Sequence, residues 1–283
     1  MALDPVVAGF VLLAALMHAS WNAVVKSDTD RQTSLALVML AGIPFGLALL
    51  PFAGGMGREA WIWLAASVLV HCLYYTCLLK AYRFGDLSQV YPIARGLGPL
   101  LVALASGFVF SETLTAQELT GVAIVSLGIG SLAFGGRHSP AENRHALVFA
   151  MLTGLCIASY TLIDARGVRA AEDPLAYIAW LNIVEAPWIA LLAIATRGGS
   201  FVAAARRGWK RGLAGGFVAA AGYGISMYAF SRSGAAHVAA LREVSVIFAA
   251  IIGAVMLGEG FGWRRVLAAM LVAGGLILMN WRA

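Results

Sequence analysis

The chain has 283 residues, of which 61% are hydrophobic and only 12% are charged, and its mean hydropathy is +0.83. An average soluble domain is about a quarter charged, so this composition excludes most soluble classes and predicts a membrane protein. The net charge of +6 does not indicate a nucleic-acid partner, because the basic residues lie in short loops between apolar runs and not on one polar face.

Ten apolar segments are long enough to cross a bilayer as helices, which takes about 20 residues each. No Lys or Arg precedes the first segment, which argues against a cleaved signal peptide. The long loop "RGGSFVAAARRGWKR" precedes the eighth segment, and basic residues concentrate in the loops after odd-numbered segments. The positive-inside rule then places both termini outside the cytoplasm. The predicted spans are about 5–25, 32–52, 60–80, 87–110, 116–134, 146–165, 174–196, 211–230, 236–257 and 264–281.

The two halves of the chain resemble each other at an offset of 147 residues. "IAR…FSETLT" aligns with "ALR…LGEGFG", which pairs Arg95 with Arg242. Each copy has five spans, an odd number, so the second copy must enter the membrane in the opposite sense. This pattern predicts an inverted repeat of residues 1–136 and 137–283, which is typical of secondary transporters.

The stretches "AYRFGDLSQVYPIARGLGPLLVALASGFVFSETLT" and "HVAALREVSVIFAAIIGAVMLGEGFGWRR" resemble the two repeat signatures of the EamA family of the drug/metabolite transporter superfamily. The resemblance covers nearly the whole chain. It implies an all-α polytopic membrane protein of ten transmembrane helices, arranged as two inverted five-helix repeats around a central cavity. It also implies a multi-pass protein of a bacterial-type cytoplasmic (inner) membrane that exports small metabolites, often amino acids, without a cofactor.

Span 4 has an unusual centre, because Pro92, Gly96, Gly98 and Pro99 surround Arg95. Each proline removes a backbone N–H and disturbs a carbonyl one turn earlier. Broken helices occur at membrane depth only where protein or a watery cavity satisfies the backbone. We therefore expect a kinked segment in span 4 that either lines a cavity or only improves packing. Span 9 lacks both prolines, so the broken backbone is expected to be specific to span 4.

Arginine and glutamate inside a span are costly and mark functional positions. Arg95 and Arg242 are the strongest candidates, because they recur at one repeat position. Each arginine can bind a substrate carboxylate with its planar fork, or tie helices together through Glu243 or a carbonyl group. The sequence leaves both roles open. Glu112 and Glu259 begin loops and are interpreted as helix-end contacts.

Other spans supply aromatic and titratable side chains to the expected site. His71 and Tyr75 share a helix face, and Glu185 is either a candidate for proton coupling or a structural carboxylate. Asp164 falls near the end of span 6 and is expected at the membrane interface. The expected substrate-binding residues are His18, Trp21, Asn22, His71, Tyr74, Tyr75, Tyr91, Arg95, Tyr160, Trp180, Glu185, Tyr223, Tyr228, Arg242 and Glu243.

The sequence contains no G-x-x-x-x-G-K-[ST] motif, so an ATP-driven pump is excluded at motif level. The first hypothesis is a secondary transporter that exports amino acids, aromatic or apolar ones included. The alternative within this class is a multidrug transporter or one for another metabolite, such as a nucleobase or a phosphonate-type compound. A membrane-embedded enzyme is less favoured, since His18, His71 and Glu185 lack metal-ligand spacing. A passive channel is less favoured because no repeated polar filter loop appears in the sequence. No metal is expected, and the small-residue motifs "GIPFG" and "GLAGG" leave a monomer or a weak homodimer open.

Overall fold

The structure is a computed structural model, and it describes residues 4–28, 30–85, 87–135, 144–256 and 262–281. Every regular element in these ranges is helical. Two short 3-10 turns, Leu50–Phe52 and Leu132–Gly135, follow α3 and α6. The helices are α1 (Pro5–Ser27), α2 (Arg31–Leu40), α3 (Gly42–Leu49), α4 (Arg58–Phe84), α5 (Leu87–Phe110), α6 (Ala116–Ser131), α7 (Arg144–Ala170), α8 (Pro174–Arg197), α9 (Gly199–Arg232), α10 (Ala235–Arg242), α11 (Ser245–Met256) and α12 (Trp263–Asn280).

The described residues form ten helical segments that are long and apolar enough to cross a membrane, which confirms the predicted number. α2 and α3 together make the second segment, and α10 and α11 make the ninth. Large apolar side chains cover the outside, as Phe108 (94% exposed) and Val255 (80% exposed) illustrate. Such exposure suits a surface that faces lipid.

Local sequence explains where several helices begin. Asp4 precedes Pro5 and accepts hydrogen bonds from two N–H groups of the first turn of α1. Asp173 precedes Pro174 and accepts a hydrogen bond from the first turn of α8. Proline is favoured at the first helical position because its missing N–H has no partner there in any case.

The expectation that the backbone break is specific to span 4 was wrong. α5 runs without interruption from Leu87 to Phe110 and contains both prolines. The interruption lies in span 9, where α10 ends at Arg242 and α11 begins at Ser245. Backbone N–H groups there bond three residues back, as from Glu243 to Ala240, instead of four. This tighter turn leaves Glu243 at the junction of two helices, and proline is not needed to make it.

The predicted loop before span 8 was also wrong. α9 begins at Gly199 and is 34 residues long, so most of "RGGSFVAAARRGWKR" is helical. This segment contains alanine, arginine and lysine but no proline, and these residues favour helix even where the mean hydropathy is low. Hydropathy therefore located the apolar part of α9 but not its first turns.

Close helix contacts build the frame around the interior. α4 packs along α7, α1 along α9, and α6 along α12. In the two small-residue motifs, a Cβ atom at Gly46 would lie 2.4 Å from the Ala179 carbonyl oxygen, and one at Gly216 2.4 Å from that of Val38. Both motifs therefore mediate helix contacts inside one chain, since only glycine allows the backbones to approach this closely.

Candidate substrate site

A polar and aromatic cluster lies in the interior between α4, α5, α7, α8, α9 and the α10–α11 junction. Most of its side chains are buried, and they connect through hydrogen bonds, an ion pair and ring contacts. Groups of this kind at membrane depth are costly and mark functional sites. We call this set the central cluster, and its members are His71, Tyr74, Tyr75, Arg95, Tyr160, Asp164, Glu185, Tyr223, Arg242, Glu243 and Ser245.

Arg95 is tied directly to the α10–α11 junction. Its Nη2 atom lies 3.2 Å from Glu243 Oε1 and donates a hydrogen bond of 3.0 Å to Ser245 Oγ. Arg95 is 7% exposed and Glu243 is 4% exposed, so the pair is almost fully buried. The interruption between α10 and α11 presents both partners to α5. The helix-tie role that the sequence left open for Arg95 is therefore present in the structure.

The ion pair leaves two polar atoms without protein partners. Arg95 Nε and Glu243 Oε2 are buried and have no hydrogen-bond partner among the described residues. Most buried polar atoms in native proteins are hydrogen-bonded, so each exception calls for an explanation. A narrow cavity reaches this pair, and its wall includes Pro99, Tyr160, Thr161 and Arg242. The cavity has a volume of about 10 Å³, which is room for one water molecule, and a water there would satisfy the unpaired atoms.

Arg242 lines the same cavity but is held differently. Its guanidinium carbon lies 5.4 Å from the ring centroid of Tyr223 and 6.0 Å from that of Phe230. In the described ranges, no carboxylate lies within ion-pair distance of Arg242, and its N–H groups make no hydrogen bond there. Its positive charge is held by aromatic faces, which leaves the N–H donors available to a ligand.

Asp164 is fully buried inside the protein, and its expected place at the level of the membrane interface stays a prediction. Each of its carboxylate oxygens accepts a hydrogen bond from a tyrosine. The Tyr177 hydroxyl lies 2.9 Å from Oδ1, and the Tyr223 hydroxyl lies 2.5 Å from Oδ2. α7 extends to Ala170, beyond the predicted end of span 6, so Asp164 falls more than a turn inside the helix.

Glu185 lies on the α4 side of the cluster. It accepts a hydrogen bond of 2.7 Å from the Tyr75 hydroxyl, and its Oε1 lies 3.8 Å from His71 Nε2. On the other edge of the ring, His71 Nδ1 lies 3.0 Å from the Ser67 carbonyl oxygen. His71, Tyr75 and Glu185 therefore form one connected group across α4 and α8. Within the described residues, no three His, Cys, Asp or Glu side chains are placed to hold a metal ion.

Aromatic rings cover one side of the cluster. His71 stacks on Tyr160 with ring centroids 4.1 Å apart and an interplanar angle of 22°. Tyr74 meets Tyr160 edge-on at 5.5 Å and Tyr75 at 5.0 Å. Rings in such contacts form a rigid wall that suits the flat face of another aromatic group.

The remaining predicted residues lie at the edge of the cluster or outside it. Tyr91 is one helical turn before Arg95 on α5 and shares its face. His18 is close enough to Arg95 and Arg242 for electrostatic interaction, and it packs edge-on against Trp21. Asn22 donates its side-chain N–H to the His18 carbonyl oxygen at 2.8 Å.

Trp180 and Tyr228 lie away from the central cluster. Trp180 packs on Trp61, with ring centroids 5.2 Å apart. Tyr228 is 37% exposed and contacts Phe10 and Arg232 on the outside of α9. The structure therefore gives neither residue a place in the cluster.

Two cluster members were missed by sequence reasoning. Ser245 carries no pattern that separates it from other small residues in an apolar run. Asp164 is an acidic residue within a turn of the matched aromatic–polar positions of α7, and counting it as intramembrane would have identified it.

The interpretation of Glu112 as a helix-end contact is confirmed. Its carboxylate oxygens accept hydrogen bonds of 3.0 and 3.1 Å from the Ala235 N–H at the start of α10. Arg169 pairs with the same carboxylate at 3.1 Å and donates to the Phe230 and Ser233 carbonyl oxygens. Glu259, its repeat partner, lies outside the described residues.

Comparisons with known proteins agree with this architecture. The family model described as "EamA-like transporter family" matches residues 6–134 and 144–281. A curated relative is the probable 4-amino-4-deoxy-L-arabinose-phosphoundecaprenol flippase subunit ArnE of Hamiltonella defensa subsp. Acyrthosiphon pisum (strain 5AT). It is 35% identical over 78 residues, which are 28% of this chain and 69% of that protein. A solved crystal structure at 18% sequence identity superposes with a TM-score of 0.76 over 96% of this chain and 94% of its own, which supports the fold.

Proposed function

The chain belongs to the EamA-like transporter family, and we propose that it exports amino acids, aromatic or apolar ones included, across a bacterial inner membrane by alternating access. The observation that carries this proposal is that Arg242 and Glu243 Oε2, which has no hydrogen-bond partner among the described residues, border one cavity, which must widen in an open state to admit an amino acid. Arg242 offers N–H donors, and Glu243 Oε2 offers a free acceptor. These groups match the carboxylate and the ammonium of a zwitterion.

The surrounding rings support an apolar or aromatic side chain on that zwitterion. Tyr160 lines the cavity and is stacked by His71, with Tyr74 edge-on to it. A ligand ring against this wall would gain apolar burial and offset stacking. Polar ends bound by Arg242 and Glu243 would fix its orientation.

We also propose that residues 1–136 and 137–283 are inverted halves that rock about the central cluster. Contacts between α6 and α12 support a two-fold relation. A Cβ atom at Gly121 would lie 2.6 Å from the Gly275 carbonyl oxygen, and one at Gly128 3.4 Å from that of Ala268. The 147-residue offset converts Gly121 into Ala268 and Gly128 into Gly275, so it exchanges the two contacts.

Glu185 remains the proposed proton-coupling group. It is bonded by Tyr75 and lies beside His71, and both neighbours can exchange protons with it. A Glu185→Gln variant should still exchange substrate between equal pools but should lose transport driven by a pH gradient. Equal loss of exchange and of driven transport would contradict this role.

A second candidate substrate class is supported by the curated relative. The ArnE protein is named as a probable subunit of a 4-amino-4-deoxy-L-arabinose-phosphoundecaprenol flippase. Arginine binds phosphate as readily as carboxylate, so Arg95 and Arg242 at the cavity also suit a phosphate or phosphonate-type metabolite. A cationic drug would instead need an available carboxylate, and Glu243 Oε2 is buried without a hydrogen-bond partner among the described residues.

A thermal-shift screen of the purified protein separates these candidates. A ligand that binds the folded state raises the melting temperature by mass action. We expect aromatic or apolar amino acids to raise it, their amides to raise it less, and phosphate monoesters to have little effect. Exchange of the same amino acids in proteoliposomes would establish transport. A response to phosphorylated ligands or organic cations alone would overturn the amino-acid proposal.

A further inference from the structure

We propose that Asp164 and Tyr223 position Arg242, and that Arg242 is thereby the residue that binds the carboxylate of the transported substrate. Asp164 is a positioning residue, because it acts through the Tyr223 ring and does not reach the cavity itself. This inference rests on the proposed function, and it names the specificity determinants of that site.

The geometry forms a chain of three groups from three helices. Asp164 on α7 accepts a 2.5 Å hydrogen bond from the Tyr223 hydroxyl on α9. The guanidinium of Arg242, at the end of α10, lies over the Tyr223 ring at 5.4 Å. Arg242 then borders the cavity. The negative charge therefore lies at the hydroxyl edge of the ring, and the positive charge lies over its face.

This arrangement can hold a half-buried arginine in place without occupying its N–H donors. A cation over an aromatic face is attracted by the ring quadrupole. A phenol that donates to a carboxylate is polarised, so its ring becomes more electron-rich and attracts the cation more strongly. Coulomb attraction to Asp164 adds to this effect, because screening is weak in the interior. A direct ion pair would instead occupy the N–H groups that the substrate needs.

The buried carboxylate of Asp164 is stabilised by the same groups. No Lys, Arg or His side chain in the described ranges lies within ion-pair distance of its carboxylate. A fully buried carboxylate is costly unless it is paired or hydrogen-bonded. Two phenol hydroxyls and the more distant charge of Arg242 together supply that compensation.

Tyr177 provides a matched control. Its hydroxyl bonds the other oxygen of Asp164 at 2.9 Å, and its ring packs against Gly167 in the core. Among the described residues, Tyr177 is not part of the cavity wall, and the guanidinium of Arg242 lies over the rings of Tyr223 and Phe230 instead. Removing the Tyr177 hydroxyl therefore removes one hydrogen bond from Asp164 without touching the ring beneath Arg242.

The experiment compares binding of one amino acid and its amide to the wild type, Tyr223→Phe and Tyr177→Phe, with Asp164→Asn as a second test variant. The amide keeps the ammonium and the side chain but lacks the negative charge. We expect Tyr223→Phe and Asp164→Asn to weaken binding of the amino acid about tenfold and binding of the amide less than about twofold. Tyr177→Phe should leave both affinities within about twofold of wild type.

Each outcome has a separate meaning. Asp164 has a structural role only, and the inference is wrong, if Tyr223→Phe and Tyr177→Phe weaken binding of the amino acid equally. The same holds if Tyr223→Phe or Asp164→Asn weakens binding of the amide as much as binding of the amino acid. If the wild type binds neither ligand, or binds both equally, the proposed amino-acid function fails and this inference fails with it. Should Asp164→Asn not fold, the Tyr223→Phe and Tyr177→Phe pair decides.

Discussion

Arg95 and Arg242 occupy matched positions in the sequence repeat, yet their surroundings differ. Arg95 is paired directly with Glu243 at 3.2 Å and bonds Ser245, so its charge is neutralised by contact. Arg242 lies over the rings of Tyr223 and Phe230, and the Tyr223 hydroxyl bonds Asp164. A sequence repeat can therefore place two like charges at related points while their neighbours give them different roles. Arg95 ties helices, and Arg242 is available to a ligand.

The largest expected effect comes from breaking the direct pair. Glu243→Gln should destabilise the fold by about 3–5 kcal/mol, because it leaves the Arg95 charge buried without compensation. Thermal unfolding in detergent measures this loss. The double variant Arg95→Gln with Glu243→Gln removes both charges and should recover most of the stability. A double variant no more stable than the single one would show that Arg95 is not held mainly by Glu243.

The second effect concerns Arg242, the arginine without a direct carboxylate partner among the described residues. Arg242→Gln should lower kcat/KM for amino-acid transport about 100-fold, or about 2.7 kcal/mol of transition-state binding. Its melting temperature should fall little, because no carboxylate in direct contact loses a partner. Arg95→Gln is the matched control, and it should lose stability before transport. If Arg242→Gln and Arg95→Gln changed transport and melting temperature equally, the two arginines would not have different roles.

A partly exposed ion pair gives a third, smaller effect. Glu112 pairs with Arg169 and caps the start of α10, but the two side chains are 19% and 27% exposed. Glu112→Gln should therefore cost about 1–2 kcal/mol, mostly from the weakened helix cap. The control is Glu172→Gln, which changes an exposed carboxylate. If Glu112→Gln lowered the melting temperature as much as Glu243→Gln does, the burial of an ion pair would not determine how much stability is lost when it is broken.

The sequence predicted most of the fold but only part of the site, for physical reasons. Apolar run length fixes how many segments cross the bilayer, so the ten spans could be counted from hydropathy. Residues at matched repeat positions, such as Arg95, Arg242 and Tyr223, could be identified as candidates in the same way. The positions of proline did not predict the backbone break, because a proline within a helix can be accommodated by its neighbours.

Side-chain partners between distant helices could not be predicted from one sequence. Asp164 bonds Tyr223 across 59 positions, and Arg95 bonds Ser245 across 150. Such pairings depend on how the helices rotate and cross, and this is set by close glycine contacts over the whole bundle. Because the predicted span ended at residue 165, Asp164 was not expected to be buried in the protein interior.

The smallest effect comes from an ion pair at the membrane edge. Asp30, which caps α2, pairs with Arg197 at the end of α8, and the side chains are 26% and 31% exposed. Partial burial raises the pKa of Asp30, but hydrogen bonds from Thr33 and Arg197 outweigh it, and the net pKa is lowered. Because the folded pKa lies below the unfolded value of about 3.9, the stabilisation is present above that pH and lost as the pH falls.

Asp30→Asn should therefore cost at most about 1 kcal/mol at pH 7, since exposed pairs contribute little. The difference in melting temperature between wild type and Asp30→Asn should stay constant from pH 7 to pH 5 and shrink below about pH 4. Thr196→Ala is the control, because Thr196 bonds Gln32 between the same two helices without a titratable group. A difference that grows on acidification would give the Asp30 pKa the opposite shift. Such a result would mean that the direct partner does not stabilise the Asp30 charge. Asp30 would then resemble Arg242, which has no direct partner, more than Arg95, which has one.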